Sequence, residues 1–200
     1  MIVLSSCSKI GTEQSDTNEY PKLLCNFLKS NDFLTLKSTY PSLAKGLDLN
    51  NFNQSQEKGV TFYSLQSAIN EKILGNILFT TTETGSFVTI IELFTRNEIG
   101  DIISFNYNSV YGETAFLLNC DKIDEQTFSL KLDKNSLYLT LKRSWWTCVR
   151  ECVGDAWGAC ADDPECDFVC TIIGPSCAGS VAIACAAWCA DDTDNELIPN

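Results

Sequence analysis

Eight of the chain's eleven cysteines fall within one stretch, "CVRECVGDAWGACADDPECDFVCTIIGPSCAGSVAIACAAWC", at 148–189. They are Cys148, Cys152, Cys160, Cys166, Cys170, Cys177, Cys185 and Cys189. An even set of cysteines packed into a short segment is the usual signature of a disulfide framework. Three times the spacing is Cys-x3-Cys. That spacing puts two sulfurs one turn apart on the same face of a helix. Such neighbours point alongside each other, so each bonds to a facing helix and not to its neighbour.

Two other uses of these cysteines are weaker. Structural zinc ligands usually come as Cys-x2-Cys pairs, whose tight turn aims both sulfurs at one ion, and no such pair occurs here. The uncharged run at 168–190 is long enough to span a bilayer. However, Gly174-Pro175 interrupts it, four cysteines lie inside it, and both flanks are acidic with no base to set topology. The intervening residues suit a framework of close-packed helices: Ala156, Gly158, Ala159, Ala178, Gly179, Ala182, Ala184, Ala186 and Ala187 are all small. Breaks at Asp162-Asp163-Pro164 and Gly174-Pro175 predict three short helices, at about 144–160, 165–173 and 176–190. A segment this short buries little core of its own, and covalent staples compensate. The spacing thus predicts a helical module that can hold its shape without the residues before it.

Charge divides the chain in the same place. Of the net −12, residues 144–200 carry −9, with ten acids against a single base, Arg150. A phosphate backbone would be repelled, which argues against a nucleic-acid partner. The chain has no histidine, which excludes His-based catalytic dyads and triads and His-ligated metals. Hydrophobic residues make up 44%, enough for a buried core.

Residues 19–143 predict an α+β domain: N-terminal helices followed by an antiparallel β-meander. Leu23, Leu24, Phe27 and Leu28, then Phe33, Leu34 and Leu36, recur at helical spacing. Asp32 is a candidate cap for the second piece, and Pro41 opens a third. A further helix is expected from Phe62, Leu65, Ile69 and Ile73. The period then shortens to that of strands: "NILFTTT", "SFVTIIELF", "DIISFNYN", "ETAFLLN", "TFSLKL" and "LYLTLK". Turn signals at Gly85, Gly100, Gly112, Asp121 and Asp133-Lys134-Asn135 separate them. Cys25 and Cys120 each sit in an apolar run and read as buried thiols, with pairing the alternative in an exported chain.

The start, "MIVLSSCSK", resembles a bacterial lipobox: Leu4, then Ser5-Ser6, then Cys7. The resemblance implies cleavage before Cys7 and acylation of that cysteine, which anchors the chain to the cell envelope. The polar stretch after it reads as a tether within residues 1–18. No phosphate-binding glycine loop, nucleophile elbow or metal-loop acid pattern is present, so a non-enzymatic protein without a cofactor is expected.

The eight-cysteine block, with Trp145 and Trp146 before it, resembles the cysteine-rich modules of bacterial lipoproteins described as bacteriocin-like, the fulvocin C-related group. It is similar in layout to haloarchaeal halocin precursors, where a larger N-terminal part precedes a small cysteine-dense peptide. The resemblance implies a peptide that damages a target membrane, with the upstream domain as its carrier or immunity part. Lys142-Arg143, at the junction between 19–143 and 144–190, is the candidate processing site. Residues 191–200 form an acidic tail. The rival expectation is a non-toxic binding or structural lipoprotein whose stapled end caps the domain or docks a partner.

Overall fold

A computed structural model of the chain describes residues 19–57, 60–82, 84–122, 128–133, 145–162 and 175–192. Three helices come first: α1 (Glu19–Phe27), α2 (Asn31–Thr39) and α3 (Pro41–Lys45). Seven strands follow: β1 (Leu47–Glu57), β2 (Val60–Ile69), β3 (Lys72–Thr81), β4 (Phe87–Arg96), β5 (Ile102–Asn108), β6 (Thr114–Lys122) and β7 (Phe128–Leu132). Two helices close the order, α4 (Trp145–Ala161) and α5 (Pro175–Asp192).

The strands form one antiparallel sheet in sequential order, β1 to β7, a plain meander. The fold is therefore α+β, with a disulfide-stapled helical pair after the sheet. Short turns make this topology. Gly85, Gly100 and Gly112 hold φ of 83°, 96° and 94° in the hairpin turns, a region glycine enters without a Cβ penalty.

Two cores sit on opposite faces of the sheet. Alternation along β4 feeds both: Val88 and Ile90 point to one face, while Phe87, Ile91 and Leu93 point to the other. On the second face α1–α3 cover the first strands. Phe27, Leu28, Phe33, Leu36 and Leu43 pack there against Leu65, Ile77, Phe79 and Ile91. Phe27 stacks on Phe79 at 3.9 Å between ring centroids. On the first face α4 and α5 lie over Phe62, Leu78, Ile90, Phe105, Phe116 and Leu118. With helices on both sides the molecule has three layers, and the sheet reads as apolar on both faces in β3 and β4.

Four expectations are corrected. Phe62, Leu65, Ile69 and Ile73 do not lie on one helix; they belong to β2 and β3. Phe62 faces one core and Leu65 the other, since residues three apart in a strand point to opposite faces. The chain turns between them through Asn70 and Glu71, both at positive φ, and Ile69 pairs with Lys72. This is a two-residue hairpin without a glycine, so its turn signal was absent from the sequence. β1 is a strand where none was expected. Asp32 is not the cap of α2: Ser30 is, accepting from the Phe33 N–H. Asp32 sits in the first turn and accepts from Thr89 Oγ1 at 2.7 Å. Cys25 is not a free thiol; it is disulfide-bonded. An apolar neighbourhood specifies burial, not oxidation state. Cys120 is buried and free. Pro41 does open α3 at its first turn.

Candidate functional site

The candidate site is the helical hairpin of α4 and α5 together with the sheet surface beneath it. The two helices run side by side and are bonded twice, Cys148 to Cys189 and Cys152 to Cys185. The pair Cys148/Cys152 reaches across to the pair Cys185/Cys189, with the later sulfur of one meeting the earlier sulfur of the other. Cys160 and Cys177 are disulfide-bonded as well. Thiolates consumed in this way are not available to a metal, and no group of three or more metal-ligating side chains occurs among the described residues. No helix among the described residues is long and apolar enough to cross a membrane.

Small residues let α5 sink onto the sheet. Ala178, Ala182, Ile183 and Ala186 are buried there, as are Trp146, Val149 and Val153 of α4. Gly179 marks the closest approach. A Cβ built on it would lie 3.1 Å from Leu78 and 3.5 Å from Glu92 Oε1. The Trp145 indole donates to the Ala186 carbonyl at 3.1 Å and ties the start of α4 to the last turns of α5. The outward side differs in kind. Glu151 and Asp155 are exposed on α4 and Asp162 just beyond its end, and the three recur at helical spacing. Trp188 is the exposed aromatic of α5.

Two buried polar groups hold the junction of hairpin and sheet. Arg150 is 5% exposed. Its Nε donates to the Ala115 carbonyl at 2.6 Å and its terminal nitrogen to the Thr114 carbonyl at 2.7 Å. Burial lowers its pKa, against the pull of Glu113. Glu92 of β4 is 2% exposed and lies under α5. Its Oε1 accepts from the Tyr107 hydroxyl at 2.7 Å and its Oε2 from the Asn76 amide at 2.6 Å. Burial pushes the Glu92 carboxyl up to about 7, against the opposing effect of those two bonds. Gly75 shapes the same place: a Cβ there would run into the Glu92 carbonyl oxygen, so β3 and β4 approach only because the side chain is missing.

Sequence reasoning missed Glu92, Tyr107 and Asn76. A signal existed: Glu92 is an acid whose strand neighbours, Ile90 and Phe94 on one face and Ile91 and Leu93 on the other, are all apolar. Arg150 also had one, as the only base after residue 143. Of the sequence-predicted residues, Cys148, Cys152, Cys185 and Cys189 are brought together in two bonds. Cys7, Lys142, Arg143, Cys166 and Cys170 lie outside the described residues, as do the helix expected at 165–173 and the strand "LYLTLK".

No protein-family model, no curated protein and no solved structure matches this chain.

Proposed function

We propose that the chain is an exported bacterial lipoprotein whose C-terminal hairpin is a bacteriocin-like, membrane-acting effector, stored against the sheet that precedes it. In this reading an acyl group on Cys7 anchors the chain in the cell envelope, and cleavage near Lys142-Arg143 frees the hairpin. It needs no cofactor and no nucleic acid. The observation that supports it best is the face of α5: no acid or base lies between 175 and 190, and Ala178, Ala182, Ile183 and Ala186 are covered by the sheet. Freed from the sheet, that face meets water, and a bilayer is the alternative place to bury it. Each fully buried large apolar side chain contributes about 1.5–3 kcal/mol. The net −9 of the last segment works against approach to anionic lipids. Glu151 and Asp155 of α4, and Asp162 just past its end, limit that opposition, because they are exposed and leave no acid on the face of α4 that the sheet covers, where the charged group is Arg150. Exposed Trp188 suits the membrane interface.

The test uses the full chain with a specific protease site placed at Lys142-Arg143, disulfides intact, added to dye-loaded vesicles. Leakage and a tryptophan blue shift are expected after cleavage and not before. Intact vesicles after complete cleavage and dissociation of the hairpin would reject the membrane reading. One observation favours the rival, a binding or structural lipoprotein capped by its own hairpin. Arg150 is buried while bonded to two sheet carbonyls, a permanent kind of attachment. In that case the cleaved hairpin stays on the sheet through gel filtration and no leakage follows.

A further inference from the structure

We propose that Glu92, Tyr107 and Asn76 form a proton-sensitive latch beneath α5, which holds the helical hairpin on the sheet while Glu92 is protonated and loosens it when the carboxyl ionises. The latch itself does not depend on the proposed function; its use in releasing an effector rests on that reading.

The carboxyl sits where the hairpin comes closest to the sheet. Both its oxygens are occupied from below, by Tyr107 and Asn76. Gly179 closes the space above, with Leu78 beside it. What faces Glu92 carries almost no charge. On β4 its neighbours on that face are Ile90 and Phe94. β5 offers Tyr107, whose own pKa burial and the Glu92 charge push far up, so it remains a donor. β3 offers the neutral amide of Asn76. On α5 the acids are Asp191 and Asp192, three turns beyond Gly179, and there is no base. On α4, Arg150 is held at the Thr114 and Ala115 carbonyls and feels Glu113. Among the described residues no cation pairs with Glu92. An anion formed here is stabilised by two hydrogen bonds but is cut off from water, and undocking α5 rehydrates it.

The direction follows from linkage. The docked carboxyl binds its proton more tightly, about 7 against the ordinary 4.5. Docking strength is therefore fully present below 4.5 and is lost as pH rises through 7. The opening equilibrium rises about tenfold per pH unit in that window and is flat above it.

Hydrogen exchange of the intact, oxidised chain between pH 4 and 8, corrected for intrinsic exchange rates, tests this. Protection of the α4 and α5 amides is expected to fall with that slope and then level off, while the α1–α3 side of β2 and β3 keeps its protection. Glu92→Gln is expected to abolish the slope. A flat profile in the unaltered chain overturns the latch, as does an unchanged slope in Glu92→Gln. A parallel fall at every protected amide also overturns it, since the proton would then govern global unfolding and not the hairpin. Vesicle leakage is not read, so failure of the membrane reading leaves this result intact.

Discussion

Arg150 of α4 donates to the Ala115 carbonyl of β6 at 2.6 Å, across 35 residues of sequence and from a fully packed position. A cation so placed is tolerated because its donors are engaged; its side chain also fills volume between helix and sheet. Arg150→Met keeps most of that volume and deletes the donors. The expected loss is about 2–3 kcal/mol of unfolding free energy in urea, given charged hydrogen bonds to two carbonyls. The α4 amides should be the first to lose exchange protection.

The two described disulfides are nested, with separations of 41 and 33 residues. Once Cys152–Cys185 is closed, Cys148–Cys189 closes a ring of only about ten residues. In the chain-entropy account the first bond then contributes about 4 kcal/mol and the second about 3. Cys160 and Cys177 lie inside the inner loop and are bonded too, so these are upper values. Replacing either pair by alanine should lower stability by about 3 kcal/mol or less. Losing the second pair should cost more than losing the first. Thermal unfolding of the two single-pair variants and the double one measures this.

Glu71 is held at φ 65° next to Asn70 at φ 51°. The left-handed region costs a residue with a Cβ about 1 kcal/mol or more, and asparagine tolerates it better than glutamate. Glu71→Gly is expected to stabilise the chain by about 1 kcal/mol, less the entropy glycine adds to the unfolded state. A rise in Tm of a few degrees would register it. An unchanged or lower Tm would mean that the turn is not under this strain.

That same turn shows where the sequence was legible and where it was not. β3 to β6 could be read because Gly85, Gly100 and Gly112 punctuate them and the turns demand those glycines. β2 could not, because Asn70-Glu71 carries no glycine and Phe62, Leu65, Ile69 and Ile73 happen to recur at helical spacing. A strand buried on both faces loses the period-2 pattern that identifies it. β1, "LDLNNFNQSQE", is polar and sits at the edge of the sheet, so hydrophobic periodicity had little to act on. The helix-to-helix disulfides followed from the Cys-x3-Cys spacing alone. Glu92 did not, because its meaning depends on which helix covers β4, a long-range fact that no local window contains.

Cysteine parity makes the anchor on Cys7 testable without a membrane. Of eleven cysteines, Cys120 is free and Cys25 is disulfide-bonded. The ten others apart from Cys120 form an even set that includes Cys7. If Cys7 carries an acyl-glyceryl thioether, as proposed, nine remain, and one of them has no partner within the chain. The lipidated protein is therefore expected to show two free thiols on denaturation in an alkylating agent, or one together with an intermolecular disulfide. Intact mass before and after alkylation counts them, and the acyl group appears in the same spectrum. A single alkylated cysteine on a monomer without added lipid mass would place Cys7 among the paired cysteines. That outcome would remove the anchor from the proposed function while leaving the hairpin and its sheet in place. Cys7→Ser separates the cases further. It should release an anchored chain from the membrane fraction with its number of unpaired thiols unchanged, but in a chain where Cys7 is bonded it should leave fractionation unchanged and expose one new thiol.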